Sequence, residues 1–130
     1  MHHLVWSDSY TVHDRDLDEQ HMILFELIAS IAEMTRDDFS DNLYRDLVTD
    51  LARYTRSHFR AEELHMAVNG YPHLDRHRQL HRHFIQYVDS LAGSIGNAGY
   101  EDMADIARFL ENWITRHILI EDRKYVDRAA

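Results

Sequence analysis

The sequence predicts an all-α protein, an antiparallel up-down-up-down four-helix bundle with an extended N-terminal arm. Four segments place apolar residues at the i, i+3, i+4, i+7 spacing of one helix face. The chain has one Pro and four Gly among 130 residues, and 45% of it is hydrophobic, so it can form long helices around a core. The breaks between the four segments are short, which favours antiparallel neighbours.

The composition limits both architecture and partners. A chain of 130 residues is expected to form a single domain. Its net charge of -9 argues against nucleic acid and against an anionic membrane surface as partner. It contains neither a signal peptide nor an apolar run of 18 residues, so we expect a soluble cytoplasmic protein. No face is apolar enough to require a partner, which favours a monomer. Without cysteine, any metal must be held by nitrogen and oxygen.

Residues 1–17 are interpreted as the arm, with Trp6 and Tyr10 packed into gaps of a bundle that spans about residues 18–121. The first helix is expected to begin near Asp16 or Asp18, either of which could be its N-cap. Its apolar face comprises Leu17, His21, Leu24, Phe25, Ile28 and either Ile31 or Ala32.

The second helix is expected to run from Ser40 or Asp41 to about Val68, where Asn69 and Gly70 end it. Its inward face is predicted to comprise Leu43, Leu47, Leu51, Tyr54, His58 and then Glu62 or Ala61.

Pro72 suits the first turn of the third helix. That helix aligns His77, His81, Phe84, Val88 and Leu91 on one face, before a loop opened by Gly93, Gly96 and Gly99. The fourth helix should start near Glu101 and present Met103, Ile106, Leu110, Trp113, His117 and Ile120 inward. Arg123 to Ala130 are interpreted as a short tail packed by Tyr125 and Val126.

The chain contains eleven histidines, and each predicted helix carries at least one at an inward position. Two helices add a carboxylate, so the candidate metal ligands are His21, His58, Glu62, His77, His81, His117 and Asp122. A lone histidine on an apolar face is more often an ordinary core residue than a ligand. Burying all seven groups without a metal, however, would cost about 1–3 kcal/mol for each unpaired group.

The ligand count favours two metals that share the carboxylates. Five histidines and two bridging carboxylates make about nine bonds, one bridging oxo or hydroxo group adds about two, and two octahedral ions take about twelve. One position is left open for a small ligand. Asp122 lies five residues after His117, about 140° round a regular helix, so it is either held by a π-turn or a surface acid.

These features resemble the hemerythrin family, and specifically its bacterial branch, over nearly the whole chain. The matching motifs are Trp6, DEQH at 18–21, HFRAEE at 58–63, GYP at 70–72, HRQLH at 77–81 and WITRHILIED at 113–122.

The resemblance implies a pair of iron ions bridged by an oxo or hydroxo group and two carboxylates. His77, His81 and His117 would hold a six-coordinate iron, and His21 and His58 a five-coordinate iron. Glu62 and Asp122 would bridge them. Dioxygen would bind reversibly at the open iron, with nitric oxide or anions such as azide as other ligands. The apolar pocket around the ligand would comprise Leu24, Phe59, Trp113, Ile114 and Ile118, for which ordinary core packing is an equally good interpretation.

The remaining histidines are expected at the surface or the rim of the bundle: His2, His3, His13, His65, His73 and His83. Where many bacterial relatives have Val-Gly in the arm, this chain has Val12-His13, so the resemblance does not extend to the local turn there.

The leading functional hypothesis is a dioxygen carrier, store or delivery protein rather than an enzyme. A sensor of oxygen, redox state or nitric oxide is the alternative. Because one bundle accounts for the 130 residues, we expect a stand-alone carrier unless the chain is excised from a longer protein. A di-iron oxidase or peroxidase of the ferritin type needs two Glu-x-x-His motifs. Only Glu62 to His65 fits that motif. A bundle holding only zinc is less favoured, because zinc gains nothing from a paired site with an open position.

Overall fold

The structure, a computed structural model, describes residues 4–93 and 100–129. After a 3-10 turn at Asp8–Tyr10, the helices are α1 Arg15–Ala32, α2 Asp41–Val68, α3 Leu74–Gly93, α4 Tyr100–Arg116, a π-helix His117–Asp122 and α5 Arg123–Ala129. Helix α1 packs against α2 and α4, and α2 packs against α3. The predicted all-α four-helix bundle is therefore confirmed.

Helix α1 begins earlier than predicted, and its N-cap is Asp14 rather than Asp16 or Asp18. The Asp14 carboxylate accepts a hydrogen bond from the backbone N–H of Leu17 at 3.0 Å. Asp18 instead accepts a hydrogen bond from the hydroxyl of Thr11 at 2.5 Å. Because Thr11 belongs to the arm, Asp18 fastens the arm to the first turn of α1.

The buried face of α2 differs from the prediction in its first two turns. Leu43 is 37% exposed and Leu47 is half-buried, whereas Tyr44 and Val48 are buried. The prediction followed steps of four residues, and each such step drifts about 40° round a helix of 3.6 residues per turn. Counting back from the buried Leu51 by three and seven residues gives the correct positions.

The turn after α2 follows the glycine signal. Gly70 has φ +68°, in the left-handed region where glycine is unstrained. The N–H of Tyr71 donates to the carbonyl of Met66 at 3.0 Å, which closes the end of the helix. Pro72 precedes α3 by two residues rather than lying in its first turn. Gly93 is the last residue of α3, and the predicted loop glycines Gly96 and Gly99 lie outside the described residues.

The C-terminal part of the chain differs from the prediction at two points. Ile120, predicted to face inward, is 49% exposed, because the wider π-turn changes the helical register after His117. The predicted tail is helical over Arg123–Ala129. Tyr125 is buried in it and Val126 is half-buried, as expected.

Two hydrophobic clusters form the core. The larger involves all four main helices, and Trp6 and Tyr10 of the arm pack against it. The smaller comprises Val12, Leu17, Met66, Tyr71 and Tyr125. The predicted metal ligands contact both clusters. The ring of Phe59, in the larger cluster, stacks on the ring of His81 with 3.7 Å between their centroids. The hydroxyl of Tyr125, in the smaller cluster, lies 3.2 Å from Glu62 Oε2. The polar site is therefore enclosed by apolar walls.

Within the described ranges, no helix combines the length and apolar character needed to cross a membrane.

Candidate metal centre

The ligand atoms of five buried side chains converge between α2, α3 and the π-helix. Atoms from Glu62, His77, His81, His117 and Asp122 all lie within 4.8 Å of one another. None of these residues is more than 5% exposed. The grouping brings together three imidazoles and two carboxylates, all from the residues that the sequence singled out.

A second group lies beside the first. It consists of His21, His58 and Glu62, again with ligand atoms within 4.8 Å of one another. Asp122 also reaches it, because Asp122 Oδ2 lies 3.4 Å from His21 Nε2. All seven predicted ligands therefore lie in one buried cluster with a three-histidine side and a two-histidine side.

The carboxylate of Glu62 is divided between the two sides. Its Oε1 lies 2.9 Å from His81 Nε2 and 3.2 Å from His77 Nε2. Its Oε2 lies 3.5 Å from the Nε2 atoms of both His21 and His58. This is the arrangement that a carboxylate bridging two cations requires.

Regular helix spacing positions most of these side chains. His58 and Glu62 are four residues apart on α2, as are His77 and His81 on α3, so each pair shares a helix face. Asp122 is different, since it lies five positions after His117. The π-helix from His117 to Asp122 aligns the two, and Asp122 is fully buried. Of the two alternatives for Asp122, the π-turn is correct and the surface acid is wrong.

The separations between donor atoms fit the size of a metal ion. Bonds of about 2.1 Å place neighbouring octahedral ligands about 3.0 Å apart and opposite ones about 4.2 Å apart. On the three-histidine side, His117 Nε2 lies 3.1 Å from both His77 Nε2 and His81 Nε2, and 3.0 Å from Asp122 Oδ1. It lies 3.9 Å from Glu62 Oε1. The donor set on this side therefore fits an octahedral cation.

The two-histidine side is wider, with separations of 3.4–3.5 Å between nitrogen and oxygen. Ligands about 120° apart on bonds of 2.1 Å would be about 3.6 Å apart, as in a cation with fewer ligands.

Several buried polar atoms have no hydrogen-bond partner among the described residues: both ring nitrogens of His21 and both carboxylate oxygens of Asp122. Leaving such atoms unpaired costs about 1–3 kcal/mol each. A cation that accepts their lone pairs would remove most of that cost. These unpaired atoms, together with the donor separations, therefore support a metal ion at this site.

The electrostatics of the site also favour a cation. Burial alone would raise the pKa of Glu62, but the neighbouring imidazoles of His117, His21, His58 and His77 hold it well below its usual range. Burial would lower the pKa of His117, but Asp122 and Glu62 raise it to about 10. The buried carboxylates are thus ionised and need positive charge beside them. Imidazole protons supply it without metal, and metal binding would displace those protons.

A further set of hydrogen bonds orients the ligands, and the sequence reasoning missed it. His58 Nδ1 donates to Gln20 Oε1 at 2.7 Å, and His81 Nδ1 donates to Glu63 Oε2 at 2.7 Å. Such partners fix which ring nitrogen faces the metal. Gln20 and Glu63 each stand next to a predicted ligand in the sequence, which was an available signal.

Tyr125 is the other missed residue. Its hydroxyl donates to Glu62 Oε2 at 3.2 Å. Burial, together with the charges of Glu62 and Asp122, raises the pKa of Tyr125, so its hydroxyl stays protonated as a donor. Its position three residues after Asp122, on the same helix face, could have indicated the contact.

The residues predicted to form the apolar pocket line the larger cluster. Leu24, Phe59, Ile114 and Ile118 are at most 2% exposed. Trp113 is half-buried and stacks on His117 with ring centroids 4.4 Å apart. Trp113 and Phe59 therefore contact ligands of the three-histidine side.

The other histidines lie away from the cluster. His13, His73 and His83 are exposed, and the half-buried His65 has its Nδ1 3.8 Å from Asp14 Oδ2. His2 and His3 lie outside the described residues.

Fold and site together define the class of protein, a four-helix bundle with a buried histidine and carboxylate cluster suited to cations. Residues 12–129 match the family model described as "Hemerythrin HHE cation binding domain". The chain belongs to the hemerythrin family.

Three relatives match it along 89–98% of their own length. It is 31% identical over 129 residues to a bacteriohemerythrin of Clostridium acetobutylicum, an alignment that covers 95% of this chain and 98% of the relative. It is 33% identical over 121 residues to a myohemerythrin of Riftia pachyptila, with coverage of 93% and 89%. It is 29% identical to hemerythrin subunit 1 of Golfingia vulgaris, again with coverage of 93% and 89%.

Proposed function

We propose that this protein binds dioxygen reversibly at a pair of iron ions. The proposed ligands are His77, His81 and His117 for one ion, His21 and His58 for the other, and Glu62 and Asp122 as bridges. The observation that carries the proposal is the unequal division of imidazoles about two shared carboxylates. A site for one ion, or for two ions with identical ligands, would not need three imidazoles on one side and two on the other.

The division leaves one position for an external ligand. On the three-histidine side, three imidazoles, two carboxylate oxygens and a shared oxo or hydroxo group would make about six bonds. On the two-histidine side, two imidazoles, two carboxylate oxygens and the same shared group would make about five. The open position therefore belongs to the ion held by His21 and His58. The wider donor separations on that side, 3.4–3.5 Å, support this assignment.

A pair of iron ions held by these residues would supply the electrons needed to bind dioxygen reversibly. The role of the chain is to hold the ions and keep the site dry. Leu24, Ile114 and Ile118 are each 1% exposed and form part of the apolar wall. Because this wall keeps water and anions away from the metal site, it slows irreversible oxidation of the metals.

The geometry favours a carrier over an oxidase. Ferritin-type oxidases use two Glu-x-x-His motifs. In the only such motif here, Glu62 faces the site, but His65 points to Asp14 instead, with 3.8 Å between Nδ1 and Oδ2. We also propose that the chain forms a single hemerythrin-like domain that acts as a monomer, which light scattering would test.

The test is metal analysis combined with absorption spectra of the reduced protein before and after exposure to air. We expect about two irons per chain and a visible charge-transfer band that appears with oxygen and disappears on its removal. Immediate, irreversible oxidation of both irons would contradict a carrier and favour a redox sensor or an enzyme. Zinc, or no metal, would overturn the proposed site.

A further inference from the structure

The two sides of the centre differ in the hydrogen bonds made behind their ligands. On the three-histidine side, His81 Nδ1 donates to the carboxylate of Glu63, whose other oxygen accepts from Arg78 Nε at 3.3 Å. On the two-histidine side, His58 Nδ1 donates to the neutral amide oxygen of Gln20. Both contacts are 2.7 Å long, so the two sides differ in the charge of the acceptor and not in its distance.

The charge of that acceptor changes the imidazole as a ligand. A carboxylate behind a ring draws its Nδ1 proton away and increases the electron density on Nε2, which makes the ring a stronger donor to the metal. A neutral amide has a smaller effect. His81 is therefore the better donor, and His58 the weaker one.

Tyr125 also weakens the ligands of the two-histidine side relative to those of the three-histidine side. Its hydroxyl donates to Glu62 Oε2, the oxygen facing His21 and His58, and not to Oε1, which faces the other side. A hydrogen bond to a carboxylate oxygen withdraws electron density from it. The Glu62 carboxylate therefore donates less electron density to a metal on the two-histidine side.

We propose that Gln20, Glu63 and Tyr125 make the two metal positions unequal, so that the two-histidine position binds metal more weakly and accepts the first electron on reduction. This inference rests on the proposed di-metal function. In this proposal the three residues act by positioning and polarising the ligands.

Zinc tests the inequality without iron or oxygen chemistry. Apoprotein titrated with Zn²⁺ against a chromophoric chelator should show two binding steps, with the weaker step belonging to the two-histidine position. Gln20→Glu should tighten the weaker step at least tenfold, and Glu63→Gln should weaken the tighter step by a similar factor, since such partners change metal affinity about 10- to 100-fold. Unchanged steps in both variants would overturn the proposal.

The iron form provides the electronic readout. Mössbauer spectra of the singly reduced protein should place the ferrous ion in the two-histidine position in the wild type. The Gln20→Glu/Glu63→Gln double variant should place it on the other side. A tenfold change in each reduction equilibrium corresponds to about 59 mV for one electron. The same location in both proteins would contradict the proposal.

Tyr125→Phe is the independent variant, because it removes only the hydroxyl. It should lower the reduction potential of the two-histidine iron and leave the other unchanged. Tyr87→Phe is its matched control: Tyr87 is half-buried and its ring packs on Phe109, away from the ligands. Equal shifts in the two variants would indicate general packing and overturn the role of Tyr125.

The two proposals fail in different ways. Protein that binds two metals with equal affinity and no preferred order of reduction would refute the inequality while leaving dioxygen binding intact. Protein that binds two unequal metals without taking up oxygen reversibly would refute the proposed function and support the inequality.

Discussion

Asp122 Oδ1 lies 3.0 Å from His117 Nε2, although the two residues are five positions apart along the chain. In a regular helix that separation would place them about 140° apart. The π-helix His117–Asp122 brings them onto one face by adding a residue to the turn. The extra residue of the π-turn lies on the solvent-facing side of the helix, where Leu119 and Ile120 are 39% and 49% exposed.

Deleting Ile120 should therefore convert the π-turn into an α-turn that still holds the carboxylate on the face of His117, now four residues away. We expect about two metals per chain in this variant. Deleting the exposed Asn112 instead should rotate His117 about 100° relative to the start of α4 and abolish metal binding. Metal analysis and circular dichroism would check both. Loss of metal after deletion of Ile120 would show that the π geometry itself is needed.

His77→Ala should cause loss of at least one metal and destabilise the bundle, because metal binding contributes to folding. His83→Ala is the control, since His83 lies on the same helix and is exposed. It should change neither metal content nor absorption spectrum. Full iron content in His77→Ala would remove this residue from the proposed ligands.

Asp14→Ala should reduce the free energy of unfolding by about 1 kcal/mol, since it removes the N-cap of α1. Asp16→Ala should change it by less than about 0.5 kcal/mol, because Asp16 is an exposed acid of the first turn. Urea unfolding of the two variants would measure the difference. Equal losses would contradict the assignment of Asp14 as the cap.

His13→Gly should stabilise the protein by about 0.5–1 kcal/mol. His13 is the one non-glycine residue with positive φ (59°) in the described part of the chain. A left-handed conformation costs a side-chain-bearing residue about 1–2 kcal/mol, part of which is offset by the greater freedom of unfolded glycine. Thermal unfolding would test this. A lower melting temperature would show that the His13 side chain makes a compensating contact.

Ile114→Ala should destabilise the protein by about 2–4 kcal/mol, since Ile114 is 1% exposed and its loss leaves a cavity. If it also lines the ligand pocket, as proposed, the oxygenated protein should oxidise irreversibly several-fold faster. Leu51→Ala, in the same cluster but two turns before His58 on α2, is the control. Similar oxidation rates in the two variants would restrict Ile114 to packing.

Helical periodicity and histidine spacing were enough to predict the bundle and six of the seven side chains that meet in it, all but Asp122. Both depend on local geometry, since residues three or four apart share a face in any helix. The inward face of α2 was misassigned at Leu43 because steps of four residues drift. Counting steps of three as well would have identified Tyr44 and Val48.

Other features depend on contacts between distant segments, which spacing does not encode. Asp18 was a reasonable N-cap by residue type, but it bonds to Thr11 of the arm, and Asp14 caps the helix. The hydrogen bond from Tyr125 to Glu62 joins residues 63 positions apart. The π-turn at Asp122 stayed one of two alternatives, because local sequence alone does not separate a widened helix from an exposed acid.

The order in which the proposed ligands occur along the chain has a consequence for biosynthesis. They begin at His21 and end at Asp122, and Asp122 faces both sides of the centre. Neither position is complete until the ribosome has passed that residue and the π-helix has docked. Both positions of the proposed centre therefore acquire their last protein ligand only after the whole bundle sequence has been synthesised.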